Sequence, residues 1–280
     1  MITLDHLTYN YRGGHTALSD ISAEIPTGIH LLMGENGAGK TTLLHIIAGL
    51  RIAKPDTACT IDAVPASMRM PSILRRTFLV TDDMAFPYTT INEMVRRHAC
   101  FYPGFDEHML RDNLAQFEMT GHEPISRFSL GNRKKAFLAY ALSLRTDILL
   151  LDEPANGLDI NAKTILLKML SRCVSEEQTV IISTHTVWDL QNLFEGVIVL
   201  RGSHLLISMP VWNVTRRLAF ISDTTPRPDA LYMTQSFGKF HSIVPNDGTL
   251  STDIDYTMLY NALHSPEKDK IINALNTTQR

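Results

Sequence analysis

The sequence predicts an α/β protein built around a mostly parallel sheet, and three observations carry the prediction. Five short apolar runs, at 28–33, 77–80, 147–151, 179–183 and 196–200, have the length of strands buried on both faces. Helical stretches alternate with several of them, as crossovers between parallel strands require. The first run then breaks into "GENGAGKTT", residues 34–42, before apolar residues return at helical spacing.

Each element has its own signal. At the N-terminus, "ITLDHLTYNY" and "TALSDISAEI" alternate in the manner of antiparallel strands. Between residues 87 and 145 the strand signals vanish. Thr90, Ile91, Asn92 and Glu93 match a capping box, and "FDEHMLRDNLAQFEM" repeats apolar residues at helical spacing up to Gly121. This stretch, about 82–145, reads as a helical subdomain inserted into the α/β core. After Arg201 short alternating runs at 218–221, 231–234 and 240–244 are separated by "TTPRPD" and "PNDG". Two helices close the chain, the second starting at "SPEK" with Ser265 as N-cap and Pro266 as first helical residue. The expected division is therefore a main domain at 1–205 and a small α+β accessory region at 206–280.

The 280 residues are 44% hydrophobic and 20% charged, as in an ordinary soluble globular protein. A chain of this length buries roughly three quarters of its unfolded surface, so a substantial core is expected. The net charge of −3 supplies no basic field for nucleic acid. Cys59, Cys100 and Cys173 are scattered and form no CxxC pair, which points to a reducing compartment and not to a disulfide framework. The start carries Asp5 and no apolar core, unlike a secretory signal. No run approaches the 18 or so apolar residues of a membrane span.

Residues 34–41 fit G-x-x-x-x-G-K-[ST] between a strand and a helix. Glycines let successive backbone N–H groups turn inward onto phosphate oxygens, and the helix aims its positive pole at the same anion. Lys40 would bind the β- and γ-phosphates and the Thr41 hydroxyl would ligate Mg²⁺. The pattern arises by chance in roughly one chain per hundred of this length, and the strand-to-helix context lowers that further. Phosphate binding is the better reading. A second stretch, "DILLLDEPANGLD", places Asp152 and Glu153 directly after a strand, at the sheet edge where ligands of open α/β folds bind. Asp152 suits the Mg²⁺ shell, and Glu153 suits a general base for the attacking water.

Together these stretches resemble the nucleotide-binding subunits of ABC transporters over residues 1 to about 205. The resemblance matches the P-loop to Gly34, Glu35, Asn36, Gly37, Ala38, Gly39, Lys40, Thr41 and Thr42, the magnesium aspartate to Asp152 and the catalytic glutamate to Glu153. It matches the D-loop to 156–159, ending at Asp159, and the switch histidine to His185 in "VIISTH". The signature motif corresponds to "FSLGN", residues 128–132, keeping Ser129 and Gly131. The adenine-stacking aromatic corresponds to Tyr11, with Tyr9 as the competing candidate. F-S-x-G signatures, the segment "FYPGFDEHML" and the C-terminal appendage look like the drug- and peptide-exporter branch. The resemblance implies an α/β P-loop NTPase core of ABC ATPase type, with ATP and Mg²⁺ as ligands. It also implies a head-to-tail homodimer or heterodimer and a separate integral-membrane permease that holds the chain at the cytoplasmic face of the membrane.

Arg133, Lys134 and Lys135 follow the signature, where cations oppose the helix dipole. They either snorkel into solvent, or add positive field near a shared nucleotide or grip a partner. The family's glutamine at the entry to the helical subdomain has no counterpart in "FLVTDDMAFPYT". Asp82 is its equivalent, or Asp83 in a register shifted by one. A carboxylate there would repel phosphate unless Mg²⁺ stood between them, so Asp82→Gln is expected to preserve or raise ATPase activity. Two functions follow: an ATPase powering export of a small molecule or peptide, or an ATP-operated dimerisation switch with weak hydrolysis that regulates a membrane partner.

Overall fold

The computed structural model describes residues 1–56, 58–82, 88–184 and 193–276. Strands β1 (Ile2–Asn10) and β2 (Thr16–Ile25) form the antiparallel hairpin that the alternation predicts. Strand β3 (Gly28–Gly34) follows, buried at all seven positions, and helix α1 (Lys40–Ile47) leaves its carboxyl end. Short strands β4 (Cys59–Ile61) and β5 (Val64–Pro65) extend the first sheet in the order β2-β1-β4-β5. Helix α2 (Pro71–Leu74) leads into β6 (Thr77–Val80).

The inserted helices are α3 (Ile91–His98), α4 (Glu107–Gln116) and α5 (Leu130–Ser143). The Thr90 hydroxyl caps α3 by accepting from Glu93 N at 3.1 Å. The return contact of the predicted box is displaced by one residue: the Glu93 carboxylate accepts from Thr89 N at 2.9 Å. Glu93 also pairs with Arg97 one turn on, at 3.1 Å. The chain returns to the sheet through β7 (Ile148–Asp152), α6 (Ile160–Cys173), β8 (Thr179–Ser183), β9 (Gly196–Arg201) and β10 (His204–Pro210).

The six-stranded sheet runs β10-β9-β3-β8-β7-β6, parallel except for β10. Its pleat sorts alternate residues into two cores, as a period of two demands. Leu31, Leu149, Leu151, Val180 and Ile182 face the inserted helices, whereas Leu32, Leu150, Ile181 and Ile198 face α1 and the antiparallel sheet. Burial on both faces explains why these strands read as continuous apolar runs. Each fully buried Leu or Ile contributes about 1.5–3 kcal/mol. The register sets Asp152 opposite Ser183 and Ser183 opposite Leu32, so three strand ends converge beside the loop that starts at Gly34.

Helix α7 (Val211–Arg217) and strands β11 (Leu218–Asp223), β12 (Tyr232–Ser236) and β13 (Lys239–Pro245) follow, the strands forming an antiparallel sheet in the order β11-β13-β12. Helices α8 (Tyr256–His264) and α9 (Lys268–Asn276) close the described chain. α9 starts later than the predicted Pro266. The Ser265 hydroxyl donates to Ala262 O at 2.8 Å, at the end of α8, and accepts from Glu267 N at 3.1 Å, so one residue serves both helices and a turn intervenes. The division expected at 205 falls inside β10, which belongs to the main sheet. Leu259, Ala262 and Leu263 of α8 share the core that contains Leu31 and Val199.

Candidate functional site

The turn after β3 needs its glycines for stated reasons. A Cβ on Gly34 would lie 2.7 Å from Leu200 O, and one on Gly39 would lie 2.4 Å from Ala17 O. Gly39 also has φ 103, in the left-handed region. It is the N-cap of α1 and supplies no side-chain cap, so the first N–H groups of the helix remain available to an anion. Lys40 folds back over the loop, donating from Nζ to Gly34 O at 2.8 Å and to Glu35 O at 3.2 Å. Burial holds this ammonium below the ordinary lysine range, while Glu153 and Asp152 pull it the other way.

Asp152 ends β7 and is buried. One of its carboxylate oxygens accepts from the Thr41 hydroxyl at 2.6 Å, and the other accepts from the Ser183 hydroxyl. A hydroxyl and a buried carboxylate held in contact form an all-oxygen donor set. Among the described residues no three His, Cys, Asp or Glu side chains converge as a metal cage. That combination fits Mg²⁺, which takes one or two carboxylates together with substrate phosphates and water. Thr41 and Asp152 are the residues that would hold it. Glu153 follows with φ 48. Its N–H is shared between Ser183 O at 3.0 Å and Ser183 Oγ at 3.1 Å.

Tyr11, Asn36, Gly37, Lys40, Thr41, Asp152 and Glu153 line one cleft of about 310 Å³. The Tyr11 hydroxyl shares a 2.8 Å hydrogen bond with Thr42 Oγ1, whereas Tyr9 sits behind it, edge-on at 5.2 Å between centroids. Of the two tyrosines, the structure brings Tyr11 to the cleft. Sequence reasoning missed His15, whose ring lies 6.4 Å from that of Tyr11 at 19°, and Arg51, whose guanidinium is 4.8 Å from the Tyr11 centroid. Neither lies in a motif. Their proximity depends on the β1–β2 turn meeting the end of α1, which local patterning does not encode.

The signature residues occupy the start of α5. Ser129 is its N-cap, accepting from Asn132 N at 3.2 Å. A Cβ on Gly131 would lie 3.1 Å from Gly157 O, so the signature and the D-loop of one chain are in close contact. Leu130 and Ile160 beside them are 75% and 85% exposed. Asp159 caps α6 by accepting from Ala162 N at 2.8 Å, and its other oxygen meets Lys135 Nζ at 2.8 Å.

Lys134 neither snorkels nor projects a free field. Its side chain is 8% exposed, and Nζ donates to Asp82 Oδ1 at 2.5 Å, Glu153 O at 2.6 Å and Asn156 O at 3.0 Å. Asn156 Nδ2 donates to the second Asp82 oxygen at 3.0 Å. The charge of Asp82 is therefore balanced by a lysine, with no metal required between it and a phosphate. Asp82→Gln, expected from the sequence to preserve or raise ATPase activity, would leave Lys134 buried without this counter-charge. His185 and Asp83 lie outside the described residues. At the other side of the loop, the Glu35 carboxylate is 3.8 Å from His264 Nε2 of α8, whose ring stacks on Tyr260 at 4.0 Å.

A doubly covered parallel sheet, a glycine loop at the strand-to-helix corner and the Thr41–Asp152 contact define a P-loop nucleoside triphosphatase. Residues 18–156 match the ABC transporter family. A putative ABC transporter ATP-binding protein of Geobacter sulfurreducens is 31% identical over 202 residues, covering 69% of this chain and 72% of that protein. A nickel import ATP-binding protein of Lactiplantibacillus plantarum is 29% identical over 223 residues, covering 73% and 90%. A solved ATP-binding subunit of an ABC transporter superposes with a TM-score of 0.66 at 21% identity, covering 77% of this chain and 92% of that one. The chain belongs to the ABC transporter ATP-binding proteins. It is an ATPase domain that binds ATP and uses Mg²⁺ for hydrolysis.

Proposed function

We propose that this ATPase powers export of a small molecule or peptide through a separate membrane permease, from the cytoplasmic face of the membrane. Pairing with a permease and dimerisation go with the family. Export is supported by the F-S-x-G form of the signature at 128–131, by residues 101–110 and by the C-terminal α+β elements. The nickel-importing relative marks direction as the point to test.

The observation that carries the catalytic reading is the chain of contacts Thr41–Asp152–Ser183–Glu153 at the mouth of the P-loop. ATP would lie in the cleft with its adenine toward Tyr11 and its phosphates on the backbone of residues 34–42. Lys40 would leave its two loop carbonyls for the β- and γ-phosphate oxygens. Bound Mg²⁺ would neutralise developing phosphate charge. Glu153 would accept the proton of the attacking water, and His185 would hydrogen-bond the γ-phosphate. Ser129 and Gly131 of a second subunit would close over the nucleotide, adding a hydroxyl donor and the positive pole of α5. The complete residue set in one chain permits a homodimer, and a related second subunit serves equally well.

Two experiments test this reading. Glu153→Gln should retain Mg-ATP binding while turnover falls about 10²–10⁴-fold. Undiminished turnover would remove Glu153 from its role. In inverted vesicles containing the co-purified permease, ATP should drive cargo inward, which is export from the cell; ATP-driven loss of cargo from the vesicles would show import. The ATP-operated switch is favoured by one observation, the replacement of the family's glutamine by the Lys134-bound Asp82. It requires only weak steady-state turnover in the unmutated protein.

A further inference from the structure

Glu153 holds a left-handed backbone conformation, φ 48, which a side chain of this kind adopts only where its surroundings impose it. Several contacts hold it there. Ser183 takes its N–H through both O and Oγ, and its C=O accepts from Asn156 N at 3.2 Å and from Lys134 Nζ at 2.6 Å. An ammonium has three donors, and those of Lys134 go to Glu153 O, Asn156 O and the Asp82 carboxylate. Asn156 and Lys134 together take both Asp82 oxygens. No signature motif names Lys134, yet it joins the entry to the helical subdomain, the D-loop and the peptide of the general base.

We propose that Lys134 is a positioning residue for hydrolysis: it fixes the Glu153 peptide so that the carboxylate stays aimed at the attacking water, and Asp82 holds that lysine charged and in place. The inference rests on the reading of Glu153 as general base. It also gives α5 a second task. Ser129 caps the helix that carries Lys134, so the serine that meets a neighbouring subunit's nucleotide and the lysine that sets this subunit's base share one rigid element. A displacement of α5 on closing over one nucleotide reaches the base that acts on the other.

The test uses the full chain. Lys134→Met keeps the length of the side chain and removes its donors and charge. It should lower kcat about 10- to 100-fold while KM and the calorimetric Kd for Mg-ATP change by less than about threefold. Asp82→Asn strands a buried ammonium and should lower Tm. The double variant Asp82→Asn/Lys134→Met contains no unpaired charge and should regain Tm while kcat stays low. Recovery of kcat together with Tm would show a purely structural lysine and overturn the inference. A normal kcat in Lys134→Met, with turnover lost in Glu153→Gln, would overturn the inference alone. Normal turnover in Glu153→Gln would overturn the general-base reading and the inference with it.

Discussion

The two functional edges of this chain are built differently. Around the P-loop, polar groups are turned inward and engaged within the chain: Lys40 on two carbonyls, Asp152 between Thr41 and Ser183, and Glu153 pinned at both ends of its peptide. At the starts of α5 and α6 the reverse holds. Leu130 and Ile160 stand in solvent, and the Ser129 hydroxyl serves its own helix end. In the proposed function the first edge serves a ligand bound by this chain and the second a ligand held on another chain. Lys134 connects the two. Damage to the first edge should therefore register in the isolated chain, and damage to the second chiefly when two chains meet.

The same substitution placed in each edge gives the largest contrast. Gly39→Ala forces a Cβ to within 2.4 Å of a carbonyl oxygen at φ 103, and should destabilise by about 3 kcal/mol or more, with loss of nucleotide binding. Gly131→Ala meets Gly157 O at 3.1 Å without a positive φ, and should cost about 1 kcal/mol or less. Thermal unfolding of the two variants side by side measures the difference; equal losses would remove the distinction. Next in size is Ser129→Ala. Loss of the N-cap should lower stability by about 1 kcal/mol, and ATP-dependent dimerisation, followed by light scattering, should weaken.

Both edges were legible in the sequence to the extent that their chemistry is local. The P-loop, Asp152 and Glu153 follow from strand–turn–helix grammar, and the structure gathers them in one cleft. Ser129 was legible only through the resemblance of its motif; its place as the N-cap of α5 was not. The partners of Lys134 were not, because they come from two segments, at 82 and at 153–156, that only the fold brings together, and a run of three cations looks the same whether solvated or buried. Tyr11 was separable from Tyr9 only once the bulged β1–β2 register was known. The start of α9 was misplaced for a smaller reason, since Ser265 ends one helix before its hydroxyl can open the next.

Two smaller effects sharpen the picture. His264→Ala removes the α8 contact to Glu35, whose carbonyl also holds Lys40. A partly exposed contact of this kind is worth at most about 1 kcal/mol even with the imidazole charged, so Mg-ATP affinity should fall by no more than about fivefold. Affinity unchanged within error would dismiss any link from α8 to the loop. The smallest effect concerns Lys135. Its hydrogen bond, with help from the Ala162 N–H, holds the Asp159 carboxyl below the usual carboxylate range. A depressed folded value contributes stability above the unfolded value of about 3.9 and loses it as pH falls through the folded value. Lys135→Ala should therefore flatten the Tm profile below about pH 4 and leave its slope above pH 5 unchanged.

The central claim is that the corner between β3 and α1 holds the phosphates of ATP. Titration calorimetry of the folded chain with Mg-ATP, against Lys40→Ala, tests it most directly. Saturable uptake that weakens by about 10- to 100-fold in the variant, the worth of a charge-assisted hydrogen bond, is the predicted result. Absence of uptake by the unmutated chain, or equal affinity in both proteins, would contradict it.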